Sequence, residues 1–259
     1  MARYGVLGDI HGNREALDAV LGALDARGVR QILCVGDIVG YNADPDECVA
    51  IVRSRKILSI AGNHDLIGTG RLDFRRCSII AEYALRRTRR TLGADAAAWL
   101  ATLPPYRVLD DGVVLVHGGV RDVQQYMVTA AHIRDNAGFL AHDFPGARVC
   151  FFGHSHEQKV YEVAGEEVKD LPIDGPVLLR QENTYFVNAG SVDAARKRNK
   201  RFAECAIYDS RAGALEFLRV AYDNAAAEAK AAVFGYRIGP LADRLYSWRR
   251  RFAARLPHA

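Results

Sequence analysis

Long apolar runs are absent from this 259-residue sequence, which argues against a membrane-spanning helix. The first residues enter the strand-like stretch RYGVLG at once, without a charged lead and an apolar signal core, so we expect a cytoplasmic protein. Internal repeats, low-complexity segments and an obvious linker are also lacking. These absences favour one domain over residues 1–235, extended by a basic amphipathic helix over residues 236–259.

Paired cysteines are lacking as well. The five cysteines are odd in number and form no Cys-x-x-Cys motif, and Cys34 and Cys150 lie inside apolar, strand-like runs. This pattern predicts buried thiols in a reducing compartment rather than a disulfide framework.

Excess charge of one sign is confined to the C-terminal tail. Residues 236–259 contain six arginines and one aspartate and contribute +5 to a formal net charge of +4, so the rest of the chain sums to −1. A body so close to neutral does not indicate a surface that coats nucleic acid, and nucleic acid binding stays undecided. The tail also carries apolar residues on one helical face: Leu241, Leu245, Trp248, Phe252 and Leu256. We expect this face to dock on its own domain or to form a homo-oligomer, rather than to lie on anionic lipid.

Hydrophobic periodicity in the first third predicts strands over residues 4–9, 31–37 and 56–65, with helices over 14–28 and 44–55 between them. This β-α-β-α-β order indicates parallel neighbours in one sheet. The middle predicts helices over 74–90 and 95–105, the first with Ile79, Ile80, Tyr83 and Ala84 facing inward, and then a hairpin that turns at Asp111-Gly112.

The last third is rich in predicted strands, and they occupy residues 148–156, 158–163, 176–180, 184–191, 202–209 and 214–223. We therefore expect two sheets packed face to face, a parallel-rich sheet first and a mostly antiparallel sheet second.

Polar side chains that bind metals follow several of these apolar runs, usually after a glycine. They are Asp9, His11, Asp37, Asn63, His64, Asp65, His117, His154 and His156. A single Asp-x-His pair is weak evidence, because most such pairs are a turn acid beside an ordinary histidine. Structural histidines have no reason to collect beyond so many apolar runs, however, so the joint pattern predicts a metal site.

The residue types indicate which ions such a site takes. Carboxylates and imidazoles bind divalent first-row metals, and these loops contain no cysteine. Asp37 lies between the other loops in chain order and is suited to bridge two ions, while the Asn63 amide keeps the site from becoming too negative. Two ions about 3.5–4 Å apart hold a hydroxide and grip phosphate oxygens, which makes a nucleophile without serine or cysteine.

In this order, GDIHGN, GDIVGY, GNHD, VHGG and GHSH resemble the signature blocks of the calcineurin-like metallophosphoesterase superfamily. VNAGS, residues 187–191, is similar to the closing turn of the superfamily's bacterial phosphodiesterase branch, with Ala189 in place of the usual proline. The resemblance implies an α/β fold: a four-layer α/β/β/α sandwich of two mixed β-sheets flanked by helices.

The resemblance also implies a role for each site residue. Asp9, His11 and His156 would bind one ion, and Asn63, His117 and His154 the other, with Asp37 as the bridge. His64 would face the substrate and stabilise or protonate the leaving oxygen, and Asp65 would accept the other N–H of His64 and fix its tautomer. Manganese is the expected metal, with iron, nickel, cobalt and zinc as alternatives.

Substrate contacts are predicted from Asn13, from His64 and from Arg196 and Arg198. The two arginines belong to the basic stretch 193–202, which would attract an anionic substrate if it borders the site; an ordinary solvated loop is the alternative.

The sequence thus predicts a dinuclear metal-dependent phosphoesterase that hydrolyses small phosphodiesters, including nucleotide-type ones, through attack by the metal-bridging hydroxide. A phosphomonoesterase or phosphoprotein phosphatase and a bis-nucleoside polyphosphate hydrolase are the alternatives among enzymes. A non-catalytic scaffold on the same fold is the rival from another class, and it would be expected to have lost ligands that this sequence retains.

Overall fold

The computed structural model describes residues 3–194, 202–240 and 243, which form two six-stranded sheets. The strands of the first sheet are β1 (Arg3–Leu7), β2 (Gln31–Cys34), β3 (Leu58–Ser59), β9 (Val177–Leu178), β11 (Phe202–Asp209) and β12 (Ala214–Ala221). The strands of the second are β4 (Arg107–Val108), β5 (Val113–Leu115), β6 (Val149–Phe152), β7 (Gln158–Ala164), β8 (Glu167–Leu171) and β10 (Thr184–Ala189). The spatial orders are β3-β2-β1-β11-β12-β9 and β4-β5-β6-β10-β7-β8.

The described helices are α1 (Arg14–Ala26), α2 (Pro45–Ser54), α3 (Asn63–Gly68), α4 (Ile79–Thr91), α5 (Ala94–Ala101), α6 (Ala130–Asp143) and α7 (Asn224–Val233). In α1 the buried residues Leu17, Val20, Leu21 and Leu24 form the predicted apolar stripe, and the helix packs against β11 and β12. Helix α2 begins at Pro45, which needs no N–H there, and carries two acidic residues in its first turn.

Apolar side chains fill three successive interfaces between these layers. One cluster joins α1, α2 and α5 to the first sheet, a second lies between the two sheets, and a third joins the second sheet to α6. A fourth cluster, outside the sandwich, joins α3 and α4 to α7 and Tyr236. The predicted α/β architecture, two mixed sheets flanked by helices, is therefore confirmed.

The second sheet is mostly antiparallel, as predicted, but the prediction of a parallel-rich first sheet is wrong. In each sheet two strand pairings are parallel and three are antiparallel. The reason is that β11 returns to the first sheet and pairs antiparallel with β1, where Val6 lies opposite Ala206. Such non-local pairing leaves no mark on the periodicity of either strand.

Several predicted elements need correction. The helix predicted over 74–90 begins only after its cap at Ser78, and Ile80 is more than half exposed, because Ala81, Ala84 and Leu85 form the buried face. The stretch 56–65, predicted as a strand with its loop, contains only the two-residue strand β3 and then the start of helix α3. Helices α6 and α7 and strand β8 were not predicted either. Alanine-rich α7 and half-exposed β8 show no clear apolar stripe, and α6 buries few apolar side chains.

All five cysteines are free and buried, as predicted. Within the part of the chain that the structure describes, no helix is long and apolar enough to cross a bilayer. The predicted apolar face of the C-terminal tail lies outside the described residues, and the domain boundary at residue 235 stays a prediction.

Candidate metal centre

Asp9, His11 and His156 converge beyond the ends of β1 and β6. The Nε2 atoms of His11 and His156 are 3.1 Å apart, and Asp9 Oδ1 lies 3.1 Å from His156 Nε2 and 3.9 Å from His11 Nε2. All three side chains are buried. The loops that carry Asp9 and His11 also bond to the next loop, because the N–H groups of these two residues donate to the carbonyls of Gly36 and Asp37.

A second group forms around His117, beyond the end of β5. Its Nε2 atom lies 2.9 Å from Asn63 Oδ1 and 3.3 Å from Asp37 Oδ2. His154 belongs to the same group, since its ring nitrogen lies within 4.8 Å of the ligand atoms that Asp37 and His117 offer. Among the described residues, His154 Nε2 is buried and has no hydrogen-bond partner.

Asp37 lies between the two groups. Its Oδ2 atom is 3.3 Å from His117 Nε2 and 3.9 Å from His11 Nε2, and its Oδ1 accepts the backbone N–H of His64 at 2.7 Å. Burial opposes ionisation of Asp37, but the histidines around it, led by His117 and His64, hold its pKa well below the usual range. The side chain is therefore a carboxylate that faces both groups.

The nitrogen and oxygen atoms of these side chains are better arranged to bind cations than to hydrogen-bond with one another. The Nδ1 atom of His117 lies 2.7 Å from the carbonyl oxygen of Val35 and must donate to it, so in the neutral ring Nε2 carries a lone pair. That lone pair faces the oxygens of Asn63 and Asp37, which are acceptors too. Burial lowers the pKa of His154 to about 3, so this ring is also neutral and able to coordinate. In the cation-free protein a proton on His117, whose pKa Asp37 raises, supplies the positive charge that these converging acceptors need, and a divalent cation would take its place.

Backbone strain is concentrated at the same residues. Six non-glycine residues in the described chain have positive φ, and five of them are predicted ligands: Asp9, His11, Asp37, His154 and His156. Left-handed backbone is unfavourable for such residues and is retained where the surrounding structure enforces it, most often at functional sites. The motif spacing predicted which residues form the cluster but not this conformation.

Two glycines allow the loops to approach closely. A Cβ atom on Gly62 would lie 2.1 Å from Asp37 Oδ1, and one on Gly40 would lie 2.5 Å from His64 Nδ1 and 2.8 Å from His11 Nδ1. Gly40 also has a φ of 149°. Any side chain at these positions would displace the candidate ligands.

Asp65 has a role that the sequence did not reveal. Its two carboxylate oxygens accept four backbone N–H groups, which belong to Asp37, Ile38, Val39 and Gly62. Burial and the neighbouring Asp37 raise the pKa of Asp65 to about 7, while the N–H groups act in the opposite direction. Asp65 therefore ties the second loop to the start of α3. Its predicted contact with the His64 ring stays a prediction.

Asn13 has different contacts from those expected of a substrate-binding residue. Its side chain is buried, caps α1 by accepting the Ala16 N–H, and donates to Asp193 at 2.8 Å and to the Tyr222 hydroxyl at 3.3 Å. These contacts show that Asn13 caps α1, a role that the sequence analysis did not predict, and its predicted contact with substrate stays a prediction.

The closing turn at residues 187–191 supports two of the ligand loops. The Asn188 side chain donates to the Gly153 carbonyl and to Ser155, beside His154, while the Ser191 hydroxyl donates to the Asp9 carbonyl at 3.0 Å. Arg196 and Arg198, the other predicted substrate contacts, lie outside the described residues.

A cavity of about 240 Å³ adjoins the candidate ligands. One side is formed by the predicted site residues Asp37, Asn63, His64, His154 and His156, and the other by Tyr41, Arg76, Cys77, Ser78, Ala81, Gln124 and Tyr126. Arg76 is held by Asp122 and the Gln124 carbonyl, and the Tyr126 ring lies 4.1 Å from the His154 ring. The second group of lining residues was not predicted, because most of it belongs to segments outside the conspicuous motifs.

Comparison with known proteins finds similar proteins over most of the chain. The model of the calcineurin-like phosphoesterase superfamily domain matches residues 2–213. The crystal structure of a metallophosphoesterase from Sphaerobacter thermophilus is 32% identical and superposes with a TM-score of 0.73, over 90% of this chain and 94% of that one. The uncharacterized protein MJ0912 of Methanocaldococcus jannaschii is 32% identical over 225 residues, which are 84% of this chain and 87% of that protein.

A more distant structure shows the fold alone. The hypothetical protein PH1004 of Pyrococcus horikoshii is 17% identical, with a TM-score of 0.67 over 90% of this chain and 93% of that one.

Proposed function

The chain belongs to the calcineurin-like phosphoesterase superfamily, and on this premise we propose that it hydrolyses phosphodiesters with the help of two divalent cations. One observation carries the proposal: two groups of buried donor atoms face each other across Asp37. Asp9, His11 and His156 would hold one cation, and Asn63, His117 and His154 the other. Asp37 would contact both.

Divalent cations in these positions would supply positive charge to the phosphoryl oxygens and lower the pKa of water. The nitrogen and oxygen donors suit manganese, iron, cobalt, nickel and zinc, and we propose manganese as the metal to test first.

His64 is proposed to assist the leaving oxygen. It lies on α3 at the wall of the cavity. The centroid of its ring is 4.6 Å from that of the His11 ring and 4.8 Å from that of the Tyr41 ring. Its backbone N–H is bonded to Asp37, so the position of the ring is tied to that of the proposed bridging ligand. A proton donated from this ring would neutralise the alkoxide or phenoxide as it departs.

A diester is proposed because the cavity extends past the donor cluster to Arg76 and Tyr126, which leaves space for a second ester group. The closing turn, similar to that of the phosphodiesterase branch, favours the same class. Monoesters and bis-nucleoside polyphosphates are the remaining substrate classes, and the scaffold is the rival without activity.

Purified protein loaded with Mn²⁺ and assayed on bis(4-nitrophenyl) phosphate and 4-nitrophenyl phosphate tests the proposal. We expect a higher kcat/KM on the diester. For His64→Asn we expect a loss of about 10²-fold or more in kcat on diphenyl phosphate, whose phenolate needs a proton to depart, and a much smaller loss on bis(4-nitrophenyl) phosphate. The exposed His142→Asn variant is the matched control and should keep wild-type turnover, because His142 contacts Arg121 and Asp143 rather than the cavity. Preference for the monoester would overturn the diester proposal, and no turnover with any first-row metal would favour the scaffold.

A further inference from the structure

The loop over residues 40–44 packs against two of the site histidines. The centroid of the Tyr41 ring lies 4.8 Å from that of the His11 ring and 4.8 Å from that of the His64 ring, and Tyr41 lines the cavity. The preceding residue, Gly40, leaves no room for a side chain beside the same two rings. The position of this loop therefore limits where the His64 ring can lie.

Four hydrogen bonds from the body of the domain hold the loop. The Thr88 hydroxyl on α4 donates to the Gly40 carbonyl at 2.8 Å. The Asn42 N–H and the Asn42 side-chain amide donate to the His11 carbonyl at 2.8 and 3.2 Å, and the Asp44 N–H donates to the Gly12 carbonyl at 3.1 Å. None of these bonds involves the backbone of Tyr41.

Further contacts come from a C-terminal arm, residues 224–237, which follows the last residue matched by the family model. Arg237 Nη1 donates to the Tyr41 carbonyl at 2.8 Å, and its Nη2 donates to Asn42 Oδ1 at 2.9 Å. Lys230 Nζ adds an ion pair with Asp44, 2.8 Å away, at the end of the loop. The arm therefore contacts the loop at Tyr41, Asn42 and Asp44.

Arg237 is itself held in place on both sides. Glu228, on α7, accepts from its Nε at 2.8 Å and from its Nη2 at 2.7 Å. The preceding residue, Tyr236, is buried, and its hydroxyl is hydrogen-bonded to Thr91 of α4 at 2.9 Å. A planar guanidinium held in this way donates to several acceptors in fixed directions at once, which a flexible lysine ammonium does not do.

We propose that Arg237 is a positioning residue for the hydrolysis: it fixes Tyr41 against His64 and so keeps the His64 ring directed at the leaving group. The inference rests on the role given to His64 in the proposed function. No hydrogen bond of Arg237 reaches a proposed cation ligand, and the His11 ring beside Tyr41 would be held by its cation, so the loss of Arg237 should leave cation affinity unchanged.

This role predicts a dependence on the leaving group that a merely structural role does not. A 4-nitrophenolate departs readily without a proton, whereas a phenolate or alkoxide needs one. A displaced His64 ring should therefore slow the hydrolysis of diphenyl phosphate much more than that of bis(4-nitrophenyl) phosphate. Because both substrates are diaryl diesters of similar shape, KM should stay nearly constant for each.

The test compares Arg237→Gln and wild-type protein, both loaded with Mn²⁺, on these two substrates. We expect kcat to fall about tenfold or more on diphenyl phosphate and less than about threefold on bis(4-nitrophenyl) phosphate, with Mn²⁺ affinity unchanged. If Tyr41 transmits the effect, adding Arg237→Gln to Tyr41→Leu should produce little further loss. If Arg237→Gln does not fold at the assay temperature, Arg237→Lys serves in its place, because lysine cannot span Tyr41, Asn42 and Glu228.

Arg55→Gln is the matched control. Arg55 forms a similar two-bonded pair with Asp25, at 2.6 and 3.0 Å, but lies at the far end of α2. Its loss should affect neither substrate. An equal loss on both substrates in Arg237→Gln, or no loss on either, would overturn the positioning role. Lack of turnover by the wild-type protein would instead overturn the proposed function, and this inference with it.

Discussion

The interior of the sandwich and the ends of its strands are equally buried but opposite in chemistry. In β1, Val6 and Leu7 are fully buried between apolar layers, while Asp9, two residues further on, is a fully buried charge. In β6, Phe151 is followed three residues later by His154. Apolar burial stabilises the fold by about 25 cal/mol per Å², whereas a buried charge is costly unless it is compensated. We therefore expect the strand ends, unlike the interior, to depend on the proposed cations.

Replacing the bridging carboxylate should produce the largest effect on activity. Asp37→Asn keeps the size of the side chain and an oxygen for the His64 N–H, but removes the charge shared by the two donor groups. We expect kcat/KM on bis(4-nitrophenyl) phosphate to fall by more than about 10³-fold, while the far-UV circular dichroism spectrum stays the same. Asp18→Asn, at a half-exposed surface carboxylate, should keep wild-type activity. Activity within tenfold of wild type in Asp37→Asn would show that the strand ends do not depend on this charge.

Truncating a side chain between the sheets should have the opposite effect: it should lower stability and leave metal binding unchanged. Phe151→Ala leaves a cavity between the sheets and should lower the free energy of unfolding by about 3–5 kcal/mol, as measured by urea denaturation. Below the transition, the folded fraction should bind Mn²⁺ with wild-type affinity, because Phe151 is not among the candidate ligands. A loss of metal binding without a loss of stability would erase the distinction between the two regions.

A smaller effect is expected on the pH dependence of the free energy of unfolding, which should differ between the cation-free and the cation-bound protein. Burial disfavours the charged form of His117, but Asp37 outweighs it and raises the pKa of His117 from 6.5 to about 9 in the cation-free protein. A group whose pKa is raised on folding stabilises fully below its unfolded pKa, and this stabilisation is lost as the pH rises through the folded value. The free energy of unfolding should therefore fall between pH 6.5 and 9.

Saturating divalent cation should flatten this slope, because a coordinated Nε2 carries no proton at either pH. The His117→Asn variant should show no slope from this residue even without cation. Urea denaturation at several pH values, with and without cation, measures both effects. A flat curve for the cation-free wild type would contradict the assigned environment of His117.

The sequence predicted the parts of the site that depend on local order. Apolar runs ending in Gly-Asp, Gly-Asn-His-Asp or Gly-His-Ser-His identify strand ends and their loops, since strand periodicity and turn residues are short-range signals. The structure brings Asp9, His11, Asp37, His117, His154 and His156 into the clusters that these signals suggested. Their roles as ligands remain the proposal to be tested.

Features that depend on distant contacts were not predictable. Three features join residues that no local pattern relates. They are the pairing of β11 with β1, the four N–H groups bound by Asp65, and the hydrogen bond from Arg237 to the Tyr41 carbonyl. The burial of Asn13 as a helix cap is similar, because the same residue type also suits a substrate contact. Long-range partners decide between such alternatives, and one sequence does not show them.

Anomalous scattering from crystals soaked in Mn²⁺ tests the central claim most directly. We expect two peaks, one bonded to His11 and His156 and the other to His117 and His154, with Asp37 in contact with both. A single peak, or none, in fully loaded crystals with these side chains ordered would contradict it.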